Sequence, residues 1–352
     1  MSRILINGYF LCRALTGIER YAYEVTKRLD RICERGELSI MVPSGRAVPS
    51  YQNITVIKKK RRPHLVWQFF TLQFFLLTHR SYTVIDFGNT CLPLAPGLVF
   101  LHDIYCELFP RDFRGFRDRL GRFYYRLQYR LIARLAKKII TVSEFSRAQI
   151  AKAFHLPREK IAVIPNGWEH FKDVLPDYAV FEKYPLLEKR PFFFTLGSLS
   201  KRKNLSWIRD YAQSHPGDFF VISGSSLEVL SVPGLDGIEA MPNILFTGRL
   251  ADGEVKALME KCRAFIFPSY YEGFGIPPLE ALSCGAKIVI AASSCLPEIY
   301  GKTARYIDPF NADIDLEALL ALPVEPPDRV LAAYSYDGAA AKLLDLMRTF
   351  TR

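Results

Sequence analysis

Two glutamates eight positions apart, Glu272 and Glu280, bracket the run EGFGIPPLE, with Gly273 and Gly275 between them. Glycines let backbone approach a ligand closely, and free N–H groups at a helix start can hold phosphate. One carboxylate falls in a loop, the other in the first turn of a short helix, where its charge suits the helix dipole. Farther back, Arg202 and Lys203 lie between a strand and a helix start. Cations there make an anion site and can neutralise a departing diphosphate, the electrostatic effect that usually dominates such a reaction. The bland alternative for that pair is a basic helix end on the surface. His102 closes the run VFLH. At the carboxyl end of a parallel strand it is in ligand territory; otherwise it is a core or capping histidine. Gly17, in the turn after the first strand, reads equally as a close-approach glycine or as part of a plain β-to-α turn.

These residues need elements to carry them. Apolar runs at 264–268 and 287–291 have the length of buried strands and flank a helix opened by Pro277 and Pro278 and closed by Gly285. The result is a β-loop-α-β unit with its loop at a strand's carboxyl end. Further strands are expected at 3–7, 56–60, 82–86, 98–101, 138–142, 192–196, 218–223, 243–247 and 304–308. The stretch 64–78 is apolar on nearly all sides and too short to span a bilayer, so it reads as a buried helix or one lying on a membrane. A basic helix is expected over 114–138, with Leu120, Tyr124, Leu127, Leu131 and Leu135 as its apolar stripe. On another face Arg122, Arg126, Arg130 and Arg134 recur, either solvated and paired or drawn to anionic lipid. Asp313 and Asp315 spell D-x-D only by letters and read as helix capping, so no metal site is expected.

At 352 residues the chain suits two domains, 1–175 and 190–333, with a closing helix at 334–352. Seven cysteines without a C-x-x-C argue against a disulfide framework or a zinc site. The net charge of +11 attracts nucleic acid, anionic lipid or nucleotides. It concentrates at KKKRR (58–62) and at 111–138, where no nucleic-acid motif accompanies it, so nucleic acid is not an expected partner. No long uncharged apolar window and no signal peptide are visible, and the cytoplasm is the expected compartment.

The run FPSYYEGFGIPPLEA, with its Glu-x7-Glu spacing, resembles the signature of retaining GT-B glycosyltransferases, most closely glycosyltransferase family 4. The turn around Gly17 resembles that family's loop after the first strand, with Thr16 where many members have another glycine. His102-Asp103 resembles its HD pair, and TVSEFSRAQI and IAVIPNG match the end of its first domain. Arg202-Lys203-Asn204 resembles its phosphate-binding segment, with Ser198 where some members carry a third basic residue. The tail YSYDGAAAKLLDLMRTF resembles its closing helix.

The resemblance implies an α/β GT-B fold, two Rossmann-like domains facing across a cleft, with the tail helix crossing back to the first. It implies metal-independent, cofactor-free transfer of a sugar from a nucleotide-diphosphate donor to a carbohydrate acceptor, with retention. In that reading Glu272 and His102 lie by the donor sugar, Glu280 holds the ribose, and Arg202 and Lys203 meet the diphosphate, which Gly17 approaches. Gly248 and Arg249 lie under the base, and Gly273, Phe274, Gly275, Ile276 and Leu279 complete the donor site. The acceptor is expected in bacterial surface polysaccharide (O-antigen, capsule or exopolysaccharide), carried on a lipid at the inner face of the cytoplasmic membrane. Three rivals stand beside it. A nucleotide-sugar epimerase or hydrolase shares the fold but lacks this Glu-x7-Glu context. An NAD oxidoreductase needs G-x-G-x-x-G after the first strand, which INGYFLCRALTG lacks. A nucleic-acid-binding module leaves the acidic loop unexplained.

Overall fold

A computed structural model describes residues 3–15, 17–113, 115–196, 200–224, 235 and 237–351. Thr16, Arg114 and Ser198, singled out above, lie outside the described residues. The chain divides into two compact units, one of Met1–Gly167 with Tyr334–Arg352, the other of Trp168–Ala333. Residues 168–175, grouped by sequence with the first domain, therefore fold with the second unit. The reason is local: the Lys256 ammonium donates to the carbonyls of Phe171 (3.2 Å) and Val174 (2.7 Å), and Phe171 is buried.

Among the described residues each unit is built on a parallel sheet, most of its strands joined through helices and two pairs in the first unit, 38–43 to 55–59 and 82–86 to 98–100, by loops. In the first, β1 (Arg3–Asn7), β2 (Leu38–Pro43), β3 (Thr55–Lys59), β4 (Tyr82–Asp86), β5 (Leu98–Phe100), β6 (Lys138–Thr141) and β7 (Ile161–Val163) take the order β3-β2-β1-β4-β5-β6-β7. In the second, β8 (Phe193–Leu196), β9 (Phe220–Ser223), β10 (Ile244–Gly248), β11 (Ala264–Phe267), β12 (Ile288–Ala291) and β13 (Arg305–Ile307) take the order β10-β9-β8-β11-β12-β13. β2 is the strand the sequence reading omitted; all six of its residues are buried. In both sheets the chain order reverses at one place, between β1 and β4 and between β8 and β11. Such switch points leave a crevice at the strands' carboxyl ends, where ligands bind.

The tail helix Tyr336–Arg348 packs on the helix Gly17–Ile32 of the first unit. Ser335 caps it by accepting the Gly338 N–H at 3.0 Å. Tyr336, Leu343, Leu344 and Met347 are almost wholly buried, each contributing about 1.5–3 kcal/mol. The Arg348–Glu37 pair (2.7 Å) is half exposed on the arginine side and, by comparison, secondary at about 1 kcal/mol or less.

Two helices differ from expectation. Residues 64–78 form one helical run whose middle, Trp67–Leu72, is π-helical. It buries Trp67, Gln68, Leu72, Phe75 and Leu76, yet Phe70 and Phe74 stand about 70 % exposed. It is therefore a half-buried helix rather than an enclosed one. In the basic helix Phe116–Leu135, the buried residues are Gln128, Tyr129 and Ile132. Leu120 and Leu127, assigned to the core stripe, are exposed, as are Phe116 and Phe123. The helix carries more apolar residues than its packing face accommodates, and the surplus lines up outward at helical spacing. Its arginines are partly spoken for: Arg126 makes two hydrogen bonds to Glu107 (2.7 and 3.0 Å), and Arg122 donates to the Cys106 carbonyl (2.9 Å). The Arg126 hydrogen bonds foremost, with the charges of Arg126, Arg130 and Arg122, hold the Glu107 carboxyl below its ordinary range against the opposing effect of burial.

Candidate active site

The second unit's switch point gathers the charged residues. After β8, a single 3-10 turn (Lys201–Lys203) presents Arg202 and Lys203. It ends at Asn204, whose φ of 58° lies in the left-handed region that asparagine tolerates better than most residues. The buried Asn204 amide donates to the carbonyls of Pro268 (3.0 Å) and Pro309 (2.7 Å), tying the cationic turn to the end of β11. From the other side, the Tyr270 N–H (3.0 Å) and the Ser269 hydroxyl (2.9 Å) donate to the Arg202 carbonyl. The two loops are one hydrogen-bonded assembly.

Glu272 lies at its centre, 5 % exposed. Lys203 Nζ and the Ser269 hydroxyl donate to Oε1 at 2.7 and 2.6 Å, and Arg202 Nη1 donates to Oε2 at 3.0 Å. Burial pushes the carboxyl's pKa up, but the two cations and the hydrogen bonds from Lys203 and Ser269 outweigh it and leave the group below its ordinary range. It is an anion across the working pH range. The loop then turns at Gly275 (φ 83°), where a Cβ would lie 2.7 Å from the Leu296 side chain. Glycine is required there on both counts. Tyr300 donates its hydroxyl to the Gly275 carbonyl from beneath.

The helix Ile276–Ser283 follows, with proline in its first turn; because it starts at Ile276, Glu280 falls in the second turn, not the first as the sequence suggested. Glu280 is 9 % exposed, and its Oε1 meets His170 Nε2 at 2.8 Å. Phe274 and Leu279 are buried, so backbone is what those positions offer a ligand. Gly248 (φ 72°) ends β10, the edge strand two places from β8, and exposed Arg249 follows it. Gly17 and His102 belong to the first unit. Gly17 opens the helix Gly17–Ile32 and is exposed. His102 follows β5, is 8 % exposed, and packs on Phe100 (5.5 Å) and Tyr21 (5.7 Å). Its Nε2 lies 3.0 Å from the Phe87 carbonyl, which can only accept, so Nε2 carries the proton and the neutral ring's Nδ1 carries a lone pair. Burial, the dominant influence, lowers its pKa and keeps it neutral.

Sequence reasoning missed three groups. Ser269 had a signal, three residues before Glu272 in the same run. Asn204 was quoted only as part of a basic segment. His170 was grouped with the first domain, and nothing in its local sequence pointed to Glu280, 110 positions away.

A buried carboxylate beside two cations and glycine-rich backbone can hold a polyhydroxylated ligand and a neighbouring anion at once. Residues 15–170 match the profile described as Glycosyltransferase Family 4, and residues 179–322 match Glycosyl transferases group 1. The chain is 27 % identical over 334 residues to O-antigen chain mannosyltransferase B of Escherichia coli, covering 85 % of this chain and 84 % of that protein. It is 25 % identical to O-antigen chain mannosyltransferase RfbU of Salmonella typhimurium, covering 87 % of each. The fold is shared with Anabaena Alr3699/HepE, solved in complex with UDP-glucose, at a TM-score of 0.71 and 16 % identity over 99 % of this chain and all of that one. The two profiles fall one on each unit of this GT-B fold, and the chain belongs to the glycosyltransferases, a Family 4 domain followed by a group 1 domain.

Proposed function

We propose that the chain moves a sugar, with retention, from a nucleotide-diphosphate donor to a carbohydrate acceptor of a bacterial surface polysaccharide. The observation that carries this is the Arg202–Glu272–Lys203 cluster at the β8/β11 switch point. In this reading the diphosphate takes up the two cations, and Glu272 exchanges an ammonium partner for donor-sugar hydroxyls. Glu280 keeps one oxygen on His170 and offers the other to the ribose. Backbone at Gly273, Gly275 and Ile276 approaches the phosphates, Gly248 and Arg249 the base, and Gly17 the diphosphate. His102, as a neutral imidazole, contacts the transferred sugar. The bond from the anomeric carbon to the diphosphate breaks as the acceptor oxygen bonds that carbon from the same face. The acceptor's proton passes to the leaving phosphate. Two fixed cations supply the charge a divalent ion would otherwise bring, so no metal or cofactor is invoked. The two O-antigen relatives support the substrate class. The test is transfer from GDP-mannose and UDP-glucose to membrane glycolipid extracts, with and without EDTA. Activity indifferent to EDTA and an axial product linkage from an α-donor are expected. Inversion, or activity lost with EDTA and restored by Mg²⁺, would contradict the mechanism.

A second reading concerns where the enzyme works. No helix among the described residues is long and apolar enough to cross a membrane. Yet Phe116, Leu120, Phe123 and Leu127 form an exposed stripe on the helix Phe116–Leu135. A cleft of about 560 Å³ beside it is lined by Arg111, Phe113, Arg119 and Arg122. An apolar stripe flanked by arginine suits the headgroup boundary of an anionic bilayer, which would hold the enzyme at the cytoplasmic face beside a lipid-linked acceptor. The protein should co-sediment with phosphatidylglycerol vesicles and not with phosphatidylcholine. Binding should weaken with salt, since screening acts beyond about 8 Å. The double variant Phe116→Ser, Phe123→Ser should lose it; unchanged binding would return the stripe to a mere exposed surface.

A further inference from the structure

In the second unit's sheet β11 lies between β8 and β12. The cationic turn after β8 grips the Glu272 loop from one side, and the segment after β12 grips it from the other. There Ser293, Ser294 and Cys295 send three consecutive side chains to that loop's backbone. The Ser293 hydroxyl donates to the Tyr270 carbonyl at 2.7 Å. The Glu272 N–H donates to Ser294 Oγ at 3.1 Å, and the Cys295 thiol donates to the Glu272 carbonyl at 3.2 Å. Cys295 is fully buried, and burial foremost pushes its thiol pKa well up, so the sulfur keeps the proton it donates. Both backbone groups of Glu272 are thus fixed by side chains from one short segment.

Ser294 adopts a costly backbone to take part. Among the described residues, those other than glycine with a positive φ are Asn89, His155, Asn204 and Ser294, the last at 53°. Asparagine and histidine are enriched in that region, whereas serine is not. A turn that needed only this backbone shape would be served by glycine at no steric cost. What serine adds is the hydroxyl, and that hydroxyl is on the Glu272 N–H. Strain held beside a functional group points from the outlier to a role.

The backbone grip differs in kind from the grip on the carboxyl. In the resting site Lys203, Arg202 and Ser269 aim the carboxylate. A diphosphate competes for both cations, so those two bonds loosen as the donor arrives. The bonds from Ser294 and Cys295 involve no charge that an anionic ligand can claim, and they persist in the loaded site.

We infer that Ser294 is a positioning residue for Glu272: its hydroxyl holds the Glu272 N–H, with Cys295 at the carbonyl, so that the carboxylate stays aimed while the cations turn to the diphosphate. The role deepens the transferase reading and rests on it; the clamp itself does not.

The test compares Ser294→Ala and Ser294→Gly with the wild type and Glu272→Gln, all as the full chain. Both serine variants lose the hydroxyl, but only glycine relieves the strain, so Ser294→Gly should melt at the higher temperature of the two. Hydrogen exchange over residues 268–275 should quicken in both, because the Glu272 N–H has lost its acceptor. Transfer from GDP-mannose or UDP-glucose to membrane glycolipid extracts should fall about tenfold in kcat, and alike in both variants. Calorimetric affinity for nucleoside diphosphate should stay at the wild-type value. Turnover that instead follows melting temperature, with glycine retaining what alanine loses, would make the hydroxyl merely structural and overturn the inference. So would unchanged exchange in Ser294→Gly, or wild-type turnover in that variant when Glu272→Gln is impaired. Quickened exchange alongside a wild type that transfers from neither donor would remove the transferase reading and the role given to Ser294, leaving the clamp alone.

Discussion

Glu272→Gln is expected to lower turnover by roughly 10²–10³-fold while nucleoside-diphosphate affinity holds or tightens. The two effects separate because of what Glu272 does in the resting site. Its carboxylate neutralises Lys203 at 2.7 Å and Arg202 at 3.0 Å, and an incoming diphosphate must compete for the same cations. Glutamine preserves the shape and the Ser269 contact but releases the cations. Binding of the charged product therefore does not suffer, whereas the sugar loses an anionic acceptor for its hydroxyls. The fold should weaken by about 1–3 kcal/mol, less than for a fully buried broken pair because Arg202 keeps 24 % side-chain exposure. The pH dependence follows from the same geometry. The folded carboxyl titrates below its ordinary 4.5, so its stabilisation is full above that value and lost as pH falls through the folded pKa. An acid melt of the variant should accordingly lose less stability than the wild type below about pH 4.5. Unchanged turnover at saturating donor would remove Glu272 from the chemistry.

Lys203→Ala should raise donor KM and lower kcat, each by about tenfold or more, because its charge faces a group that grows more negative in the transition state. The structure adds a second route to the same loss. Lys203 Nζ lies over the Phe267 ring at 4.7 Å and pins Glu272, so its removal leaves a buried carboxylate held by Arg202 and Ser269 alone. Initial-rate kinetics against donor and acceptor distinguish this from an acceptor role. A change confined to acceptor KM would place Lys203 in another subsite.

The meeting of Arg202, Lys203 and Glu272 was legible because its members lie within short runs whose local chemistry is one-sided. Prolines open a helix, a glycine must take a positive φ, and cations follow a strand. The parallel strands of the second unit were legible for the same reason, being short apolar runs between turn residues. Glu280 and His170 show where this stops. Glu280 stood out in its motif, but His170 is ordinary in its own segment, and only the folding of residues 168–175 onto the second unit brings the two to 2.8 Å. The stripe of the basic helix was misread because periodicity counts apolar positions but does not say which face finds a partner. Leu120 and Leu127 have the right spacing, yet Tyr129 and Ile132 took the buried face.

The central claim is that Arg202 and Lys203 receive a diphosphate at the β8/β11 switch point. Calorimetric titration of the full chain with nucleoside, nucleoside monophosphate and nucleoside diphosphate tests it most directly. In the wild type the diphosphate should bind at least about tenfold more tightly than the monophosphate, a difference of about 1.4 kcal/mol. The double variant Arg202→Ala, Lys203→Ala should erase that difference while leaving the nucleoside's own weak affinity in place. Equal affinities for mono- and diphosphate in the wild type, or a preference for diphosphate that survives the double variant, would contradict the account.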